Sequence, residues 1–326
     1  MINLDGKKDL LEVLRMPFNE FENIYTTRAK NIHREENNNV LNATAMLAFN
    51  NICKNQCHYC GMRAGNTNIK RFRLDAESVI QSARVAYEVG FRRIFLISGE
   101  DPKYGFDNLL LMAEKIKALG FWVSFGCGEF SNQQYLELHD AGVDEYVLKF
   151  EMAQKDTFNR LNPSTDFDKR MKCIEGIKLS GMKLASGNIV DYPGQSLEDL
   201  ADDILLMKEL DINWAPVVPY MPAANTPLAK EGGRGSLETN LREISILRIL
   251  MPKVYITAQQ PGEDITKGFT DVQGNLNALN AGANLLFADM LPDAIVQNFS
   301  VIDNRTTLDL EHIKNMANKS GMQLIL

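Results

Sequence analysis

No stretch of the sequence approaches the roughly 18 consecutive apolar residues of a membrane span, and the polar start Met1-Ile-Asn-Leu-Asp-Gly-Lys-Lys8 lacks the apolar core of a secretory signal. Positive charge is also in deficit. A formal charge of -7 and a pI near 5.3 argue against a nucleic-acid partner, which calls for a basic face or stripe. Of five cysteines, three are clustered and two, Cys127 and Cys173, stand alone, so they do not make an extracellular disulfide framework. Linkers, sequence repeats and low-complexity tracts are lacking too. These absences lead to the expectation of a cytoplasmic chain without a membrane partner, acting on a small molecule. The apolar share of 45% is ordinary and sufficient for a large core.

What is present is concentrated in one place. The run Cys53-Lys-Asn-Gln-Cys57-His-Tyr-Cys60 has the spacing C-x3-C-x2-C and follows an apolar stretch, Ala43 to Phe49, that reads as a strand entering a loop. A 4Fe-4S cube ordinarily takes four cysteines, so three thiolates leave one iron open to a small chelating ligand. A zinc site needs a fourth ligand at matching spacing. His58 lies inside the loop, and His33, His139 and His312 fall in no such pattern. A disulfide and simple packing are the remaining readings of clustered cysteines.

The motif resembles the signature of the radical S-adenosylmethionine (radical SAM) superfamily. That resemblance implies that Cys53, Cys57 and Cys60 hold a 4Fe-4S cluster whose open iron takes the amino and carboxylate groups of S-adenosylmethionine. One electron then breaks the sulfonium to give a 5'-deoxyadenosyl radical, and a flavodoxin- or ferredoxin-type protein is the expected reductant. Tyr59 stands where the superfamily places an aromatic residue beside the adenine.

Residues 1–40 suit helices laid outside a domain, and 41–326 alternate strands with helices. Strands are expected at Ala43–Phe49, Arg93–Ser98, Trp122–Phe125, Glu145–Phe150, Lys183–Ile189, Trp214–Val218, Val254–Ala258 and Asn284–Ala288. Asp75 is placed to cap one intervening helix that Gly90 closes, and Ser196-Leu-Glu-Asp199 reads as a capping box opening another. Repeated βα units imply parallel strands with right-handed crossovers. The expected fold is therefore α/β, a (β/α)8 TIM-type barrel with an N-terminal helical extension.

In such a barrel the chemistry sits where the strands end. Strand two ends in Ser98-Gly99-Glu100-Asp101, strand three in Gly126-Cys127-Gly128-Glu129 and strand four in Lys149-Phe150-Glu151, with Arg170 on the next helix. Strand five ends in Gly187-Asn188. Carboxylates accept from an ammonium and arginine pairs a carboxylate through a fork, so these residues suit a zwitterion. Each has an ordinary alternative: an ion pair for Glu151 and Arg170, a turn cap for Asn188, core packing for Cys173 and a solvent-facing loop position for His58.

Taken in order, Cys57-His-Tyr-Cys-Gly-Met-Arg63, Ile69-Lys-Arg-Phe-Arg73, Ser98-Gly-Glu-Asp-Pro102, Gly128-Glu129, Asn162-Pro163, Asp168-Lys-Arg170, Tyr192-Pro-Gly-Gln195 and Asn225-Thr-Pro-Leu228 resemble the group holding the FeFe-hydrogenase maturase HydE and the methylornithine synthase PylB, which is related to biotin synthase. The resemblance implies a small amino-acid-derived substrate. It also implies that Gly99, Glu100 and Asp101 belong to the stretch meeting the methionyl amino group, and that Glu151 and Arg170 hold the ribose and the methionyl carboxylate. Asn188 is a further candidate for the ribose or the carboxylate. Lys149 departs from the arginine that maturases tend to carry. The strand from Trp214 lacks the arginine expected of a synthase, whereas Phe287-Ala-Asp-Met-Leu-Pro292 looks closer to the synthases and 259–275 matches neither group. With Thr257, Gln259 and Gln260 at the seventh strand's exit, the expected substrate cavity recognises its ligand by neutral hydrogen bonds and apolar contacts. Maturase-like chemistry is preferred over methylornithine-synthase-like chemistry. A cluster scaffold or electron carrier is the alternative of another class.

Overall fold

The computed structural model describes residue 4 and residues 6–303 and 305–326; Met1–Asn3 and Asp5 of the polar start lie outside the described residues. The strands are β1 Val40–Asn50, β2 Arg93–Ser98, β3 Trp122–Gly126, β4 Glu145–Val147, β5 Lys183–Ala185, β6 Ile189–Val190, β7 Trp214–Ala215, β8 Val218–Pro219, β9 Tyr255–Ile256, β10 Leu285–Asp289 and β11 Gln323–Ile325. Parallel pairing runs in the order β10-β1-β2-β3-β4-β5-β7-β9. A parallel bridge between Thr257 and Leu285 joins the two ends, with Ala258 N donating to Leu285 O at 2.8 Å and Asn284 N to Ile256 O at 3.0 Å. The eight strands thus form the α/β barrel that the βα alternation implies.

The helices between the strands carry the predicted caps. Asp75 accepts from Ser78 N at the start of Ala76–Val89, and Gly90, with φ of 116°, closes that helix where a side chain is disfavoured. Ser196 and Asp199 form a capping box before Leu197–Glu209. Before β1, the helix Lys7–Leu14 packs on Leu197–Glu209 and Thr27–Glu36 on Leu237–Leu250. Inside the barrel, Phe95 meets Trp214 edge-on with centroids 5.2 Å apart, and Phe287 lies 5.1 Å from Trp214.

The strands on the site side are shorter than their apolar runs. The run through Phe150 is regular strand only to Val147, and Glu151 beyond it takes a left-handed φ of 63°. The fifth and sixth runs each break in two, and β6 pairs β8 in a separate ladder. Pro216 has no N–H to donate between β7 and β8. Strand β11, which the sequence pattern does not announce, pairs with the start of β1. Among the described residues no helix is long and apolar enough to cross a membrane.

His33 shows how tightly the outer helices pack. It is 1% exposed, and burial, followed by the neighbouring Arg248 and Arg34, pushes its pKa down to about 4. The unfolded chain takes up a proton near pH 6.5 that the folded chain refuses. Stability is therefore expected to fall as pH drops from 6.5 towards 4, by up to about 3 kcal/mol from this residue. Denaturant unfolding at pH 7 and 5 should show a steeper loss for the wild type than for His33→Leu. Equal losses would remove His33 from the account.

Candidate active site

Strand β1 ends in two buried asparagines that fasten the chain that follows. Asn50 Nδ2 donates to Asp101 Oδ2 at 2.8 Å, and its Oδ1 accepts from Ile52 N at 2.8 Å. Asn51 Nδ2 donates to the carbonyls of Lys70 (2.8 Å) and Asn298 (2.6 Å), while its Oδ1 accepts from Phe72 N at 2.8 Å. Between these anchors the cysteine loop has no regular secondary structure, and Arg71 supplies its missing donors. Its Nη1 donates to the carbonyls of Asn51 (2.7 Å) and Met62 (2.8 Å), and its Nη2 to those of Arg63 (2.7 Å) and Asn66 (3.1 Å).

Cys53, Cys57 and Cys60 are free thiols on this loop. Burial and then the Cys53 sulfur push the Cys57 thiol up to about 12, and burial and then Cys57 raise Cys60. Burial also raises Cys53. Three thiols that burial keeps protonated form a donor set suited to added positive charge. Among the described residues no three His, Cys, Asp or Glu side chains converge on the single point that one ion requires. Donors spread along a loop fit a cluster instead, since each thiolate takes a different iron.

The strand-two corner closes on the same loop. A Cβ on Gly99 would lie 2.3 Å from Ile52 O and 2.9 Å from Cys53 Cβ, so only glycine allows the approach. Glu100 accepts from Asn55 Nδ2 at 2.9 Å and pairs with Lys54 Nζ at 2.6 Å. Asp101, by contrast, is committed to the scaffold. Its carboxylate, 2% exposed, accepts from Asn50 and from Arg73 Nε at 2.7 Å, and burial, which alone would raise its pKa, is outweighed by these bonds and the Lys103 N–H.

Tyr59 donates to Asn162 Oδ1 at 2.6 Å and packs on the apolar cluster that includes Met152, Phe158 and Ile189. Glu151 holds its left-handed turn by pairing its backbone with Gly187 O and Ile189 N, both at 3.0 Å, and Lys149 Nζ lies 3.2 Å from its Oε2. Glu151 and Arg170 do not form the ion pair that was their ordinary alternative. The partner of Arg170 is Glu129, whose Oε1 accepts from Arg170 Nε at 2.8 Å and whose Oε2 meets Lys169 Nζ at 2.9 Å and Thr165 Oγ1 at 2.9 Å. Arg170 also donates to Lys149 O. Asn188 Nδ2 donates to Asp203 Oδ2 at 3.1 Å. Burial pushes Asp203 up to about 7, and burial followed by Asp203 raises the fully buried Glu243 well above the carboxylate range.

Cys127 is buried beside Gly99, Glu100 and Glu129 along a cavity of about 260 Å3, and burial pushes its thiol up to about 12. Cys173 donates to Phe130 O at 3.6 Å on a packed helix. His58 fastens the loop through its backbone, donating to Leu161 O at 2.8 Å and accepting from Leu228 N at 3.0 Å.

Inside the barrel lies a cavity of about 220 Å3 walled by Met46, Phe95, Trp214 and Phe287. Phe299 and Val301 also line it, and both belong to the apolar cluster that takes in Met62 and Cys60. Gly61 N, on the cysteine loop, donates to Val301 O at 2.9 Å. Thr257 and Gln259 line this cavity as the sequence suggests, but so do Lys149 and Arg305. The expectation of purely neutral recognition is corrected on this point, because Arg305 enters from the segment that follows β10. Gln260 turns to structural bonds with Asn240 and Val217 O.

Residues 47–207 match the Radical SAM superfamily. The chain is 32% identical to the [FeFe] hydrogenase maturase subunit HydE of Thermotoga maritima over 90% of its own length and 82% of that protein's. The chain belongs to the radical SAM superfamily. As a radical SAM enzyme it uses a 4Fe-4S cluster and S-adenosylmethionine, and a carrier without SAM chemistry is not supported. It is also 26% identical to 3-methylornithine synthase of Methanosarcina acetivorans, over 87% of its own length and 79% of the relative's. The crystal structure of methylornithine synthase (PylB) superposes with a TM-score of 0.86 at 23% identity, over 99% of this chain and 94% of that one, which fixes the radical SAM barrel as the fold.

The sequence reading missed Arg71 as a loop clamp, Glu129 as the partner of Arg170, and Arg305. Arg71→Ala leaves four carbonyls without a charged donor, each such bond being worth about 1.5–3 kcal/mol. Reconstituted Arg71→Ala is expected to retain only a minor fraction of wild-type iron while its far-UV circular dichroism is unchanged. Arg71→Lys, lacking the fork, should fall between. Full iron retention in Arg71→Ala would show that the loop keeps its shape unaided.

Proposed function

We propose that Cys53, Cys57 and Cys60 hold the 4Fe-4S cluster and leave one iron for S-adenosylmethionine, and that the resulting radical acts on a small amino-acid-derived substrate inside the barrel. The observation that carries this reading is the thiol trio on a loop clamped by Arg71, immediately against the roof of the internal cavity. When bound, the cluster supplies one electron for reductive cleavage of S-adenosylmethionine to a 5'-deoxyadenosyl radical. This chain's residues orient and enclose. Tyr59 flanks the adenine, and Gly99 and Glu100 meet the methionyl amino group, with Asp101 positioning that corner. Glu151 and Asn188 take the ribose end, and Arg170, held by Glu129, takes the methionyl carboxylate. The apolar walls exclude water from a reactive carbon species. Electrons come from a flavodoxin- or ferredoxin-type protein.

The higher identity to HydE supports maturase-like chemistry on a cysteine-derived or iron-bound cysteine substrate. One observation favours a second reading, a methylornithine-synthase-like rearrangement of a free amino acid: Arg305 provides inside the cavity the cation that the strand from Trp214 lacks.

Anaerobic reconstitution should yield one 4Fe-4S cluster per chain, lost in Cys53→Ala, Cys57→Ala or Cys60→Ala and retained in Cys173→Ala. Dithionite and S-adenosylmethionine should yield 5'-deoxyadenosine, and Arg170→Ala should weaken S-adenosylmethionine binding by roughly 2–5 kcal/mol. Cluster loss in Cys173→Ala would refute the ligand set, and an intact cluster without cleavage under any reductant would refute the activity. Transfer of deuterium from side-chain-labelled lysine into 5'-deoxyadenosine, with a methylornithine product, would select the second reading.

A further inference from the structure

We propose that Arg305 anchors the carboxylate of an amino-acid-sized substrate in the barrel-interior cavity. This rests on the reading of that cavity as the substrate chamber and names the group that selects what enters it. The guanidinium is almost wholly buried, with a side chain 8% exposed, and its Nη2 lies 2.7 Å from Oδ1 of Asp289, itself 2% exposed. Leu308 N donates to the other carboxylate oxygen at 3.0 Å. Asp289 therefore fixes the arginine from behind, at the C-terminal end of β10, where barrel chemistry is placed. Arg305 Nε is buried and has no hydrogen-bond partner among the described residues. A buried charged donor without an acceptor is costly; Nη1 of the same guanidinium makes no hydrogen bond among the described residues, and in a cavity with predominantly apolar walls a ligand anion is the group that engages it.

The surroundings define the rest of the ligand. Arg305 lines both the inner cavity of about 220 Å3 and an outer polar pocket of about 340 Å3 that Asn68, Asn225 and Ser300 border. It therefore stands where the outer pocket meets the inner one. Gln259 lines the inner cavity and its side chain makes no hydrogen bond among the described residues, leaving its carboxamide oxygen for an ammonium. Phe95, Trp214 and Phe287 then enclose an apolar side chain. Lys149, the other cation on the lining, already faces Glu151 at 3.2 Å.

L-norleucine and L-norleucinamide differ only in carrying a carboxylate or a neutral amide, and both are small enough to serve as probes. Titrated anaerobically by calorimetry into the reconstituted enzyme with S-adenosylmethionine, norleucine should bind roughly 10- to 100-fold more tightly than its amide, the span of one charged hydrogen bond. Arg305→Gln should abolish that preference and Arg305→Lys should keep part of it. Because Arg305→Gln leaves Asp289 uncompensated, the double variant Arg305→Gln/Asp289→Asn, which removes both charges, gives the same test if the single variant does not fold. Equal affinity of acid and amide for the wild type, or no binding of norleucine, overturns the proposal. A preference that survives Arg305→Gln and disappears in Lys149→Met also overturns it. Formation of 5'-deoxyadenosine by the same wild-type preparation tests the radical SAM assignment of the site separately, so failure of the anchor and failure of that reading are distinguishable.

Discussion

A half-buried loop without helix or strand must find its backbone hydrogen bonds outside a ladder, and here the guanidinium of Arg71 supplies four of them. Its bonds to the carbonyls of Asn51, Met62, Arg63 and Asn66 tie the end of β1 to the turn after Cys60. Asn51 adds the tie to Asn298, and Gly61 the tie to Val301. The thiols, the strand-one mouth and the cavity roof are consequently one mechanical unit. That coupling gives the cysteine loop the fixed geometry that a cluster site needs in the absence of regular structure.

Around this unit the charges are arranged in a way that suits a zwitterion. Glu129 and Arg170 form a buried pair that Lys169 and Thr165 complete, and Arg170 is oriented further by Lys149 O. Lys149 faces Glu151, which the left-handed turn projects at the barrel mouth. Deeper down, Asp203 and Glu243 are carboxyls raised by burial, and Asn188 sits beside them. Preformed dipoles and ion pairs of this kind bind a charged ligand without reorganising when it arrives. The interior cavity sets Lys149 and Arg305, the latter paired with Asp289, against aromatic walls.

Local signals account for what was legible in the sequence. The spacing of Cys53, Cys57 and Cys60, the caps at Asp75 and Ser196, and the apolar runs of the first three strands each depend on neighbours within a few residues. Apart from the Arg71 clamp, whose partners lie on the same loop, the missed contacts join distant segments. Arg170 finds Glu129 across 41 positions, and Arg305 reaches the cavity from beyond the last barrel strand, where no pattern marks a side chain as inward. Pairing limits also escaped the pattern: the expected strands ending at Phe150, Ile189 and Val218 extend past the ladders, which stop at Val147, Ala185 and Ala215.

Three protein thiolates and one ligand-bearing iron are the centre of the account, and electron-nuclear double resonance on the reduced, reconstituted protein reads that iron directly. With S-adenosylmethionine labelled with nitrogen-15 in its amino group and oxygen-17 in its carboxylate, the account predicts hyperfine coupling of both labels to the cluster, abolished in Cys57→Ala together with the cluster itself. An intact reduced cluster whose spectrum is unchanged by S-adenosylmethionine, with no coupling to either label, would contradict it.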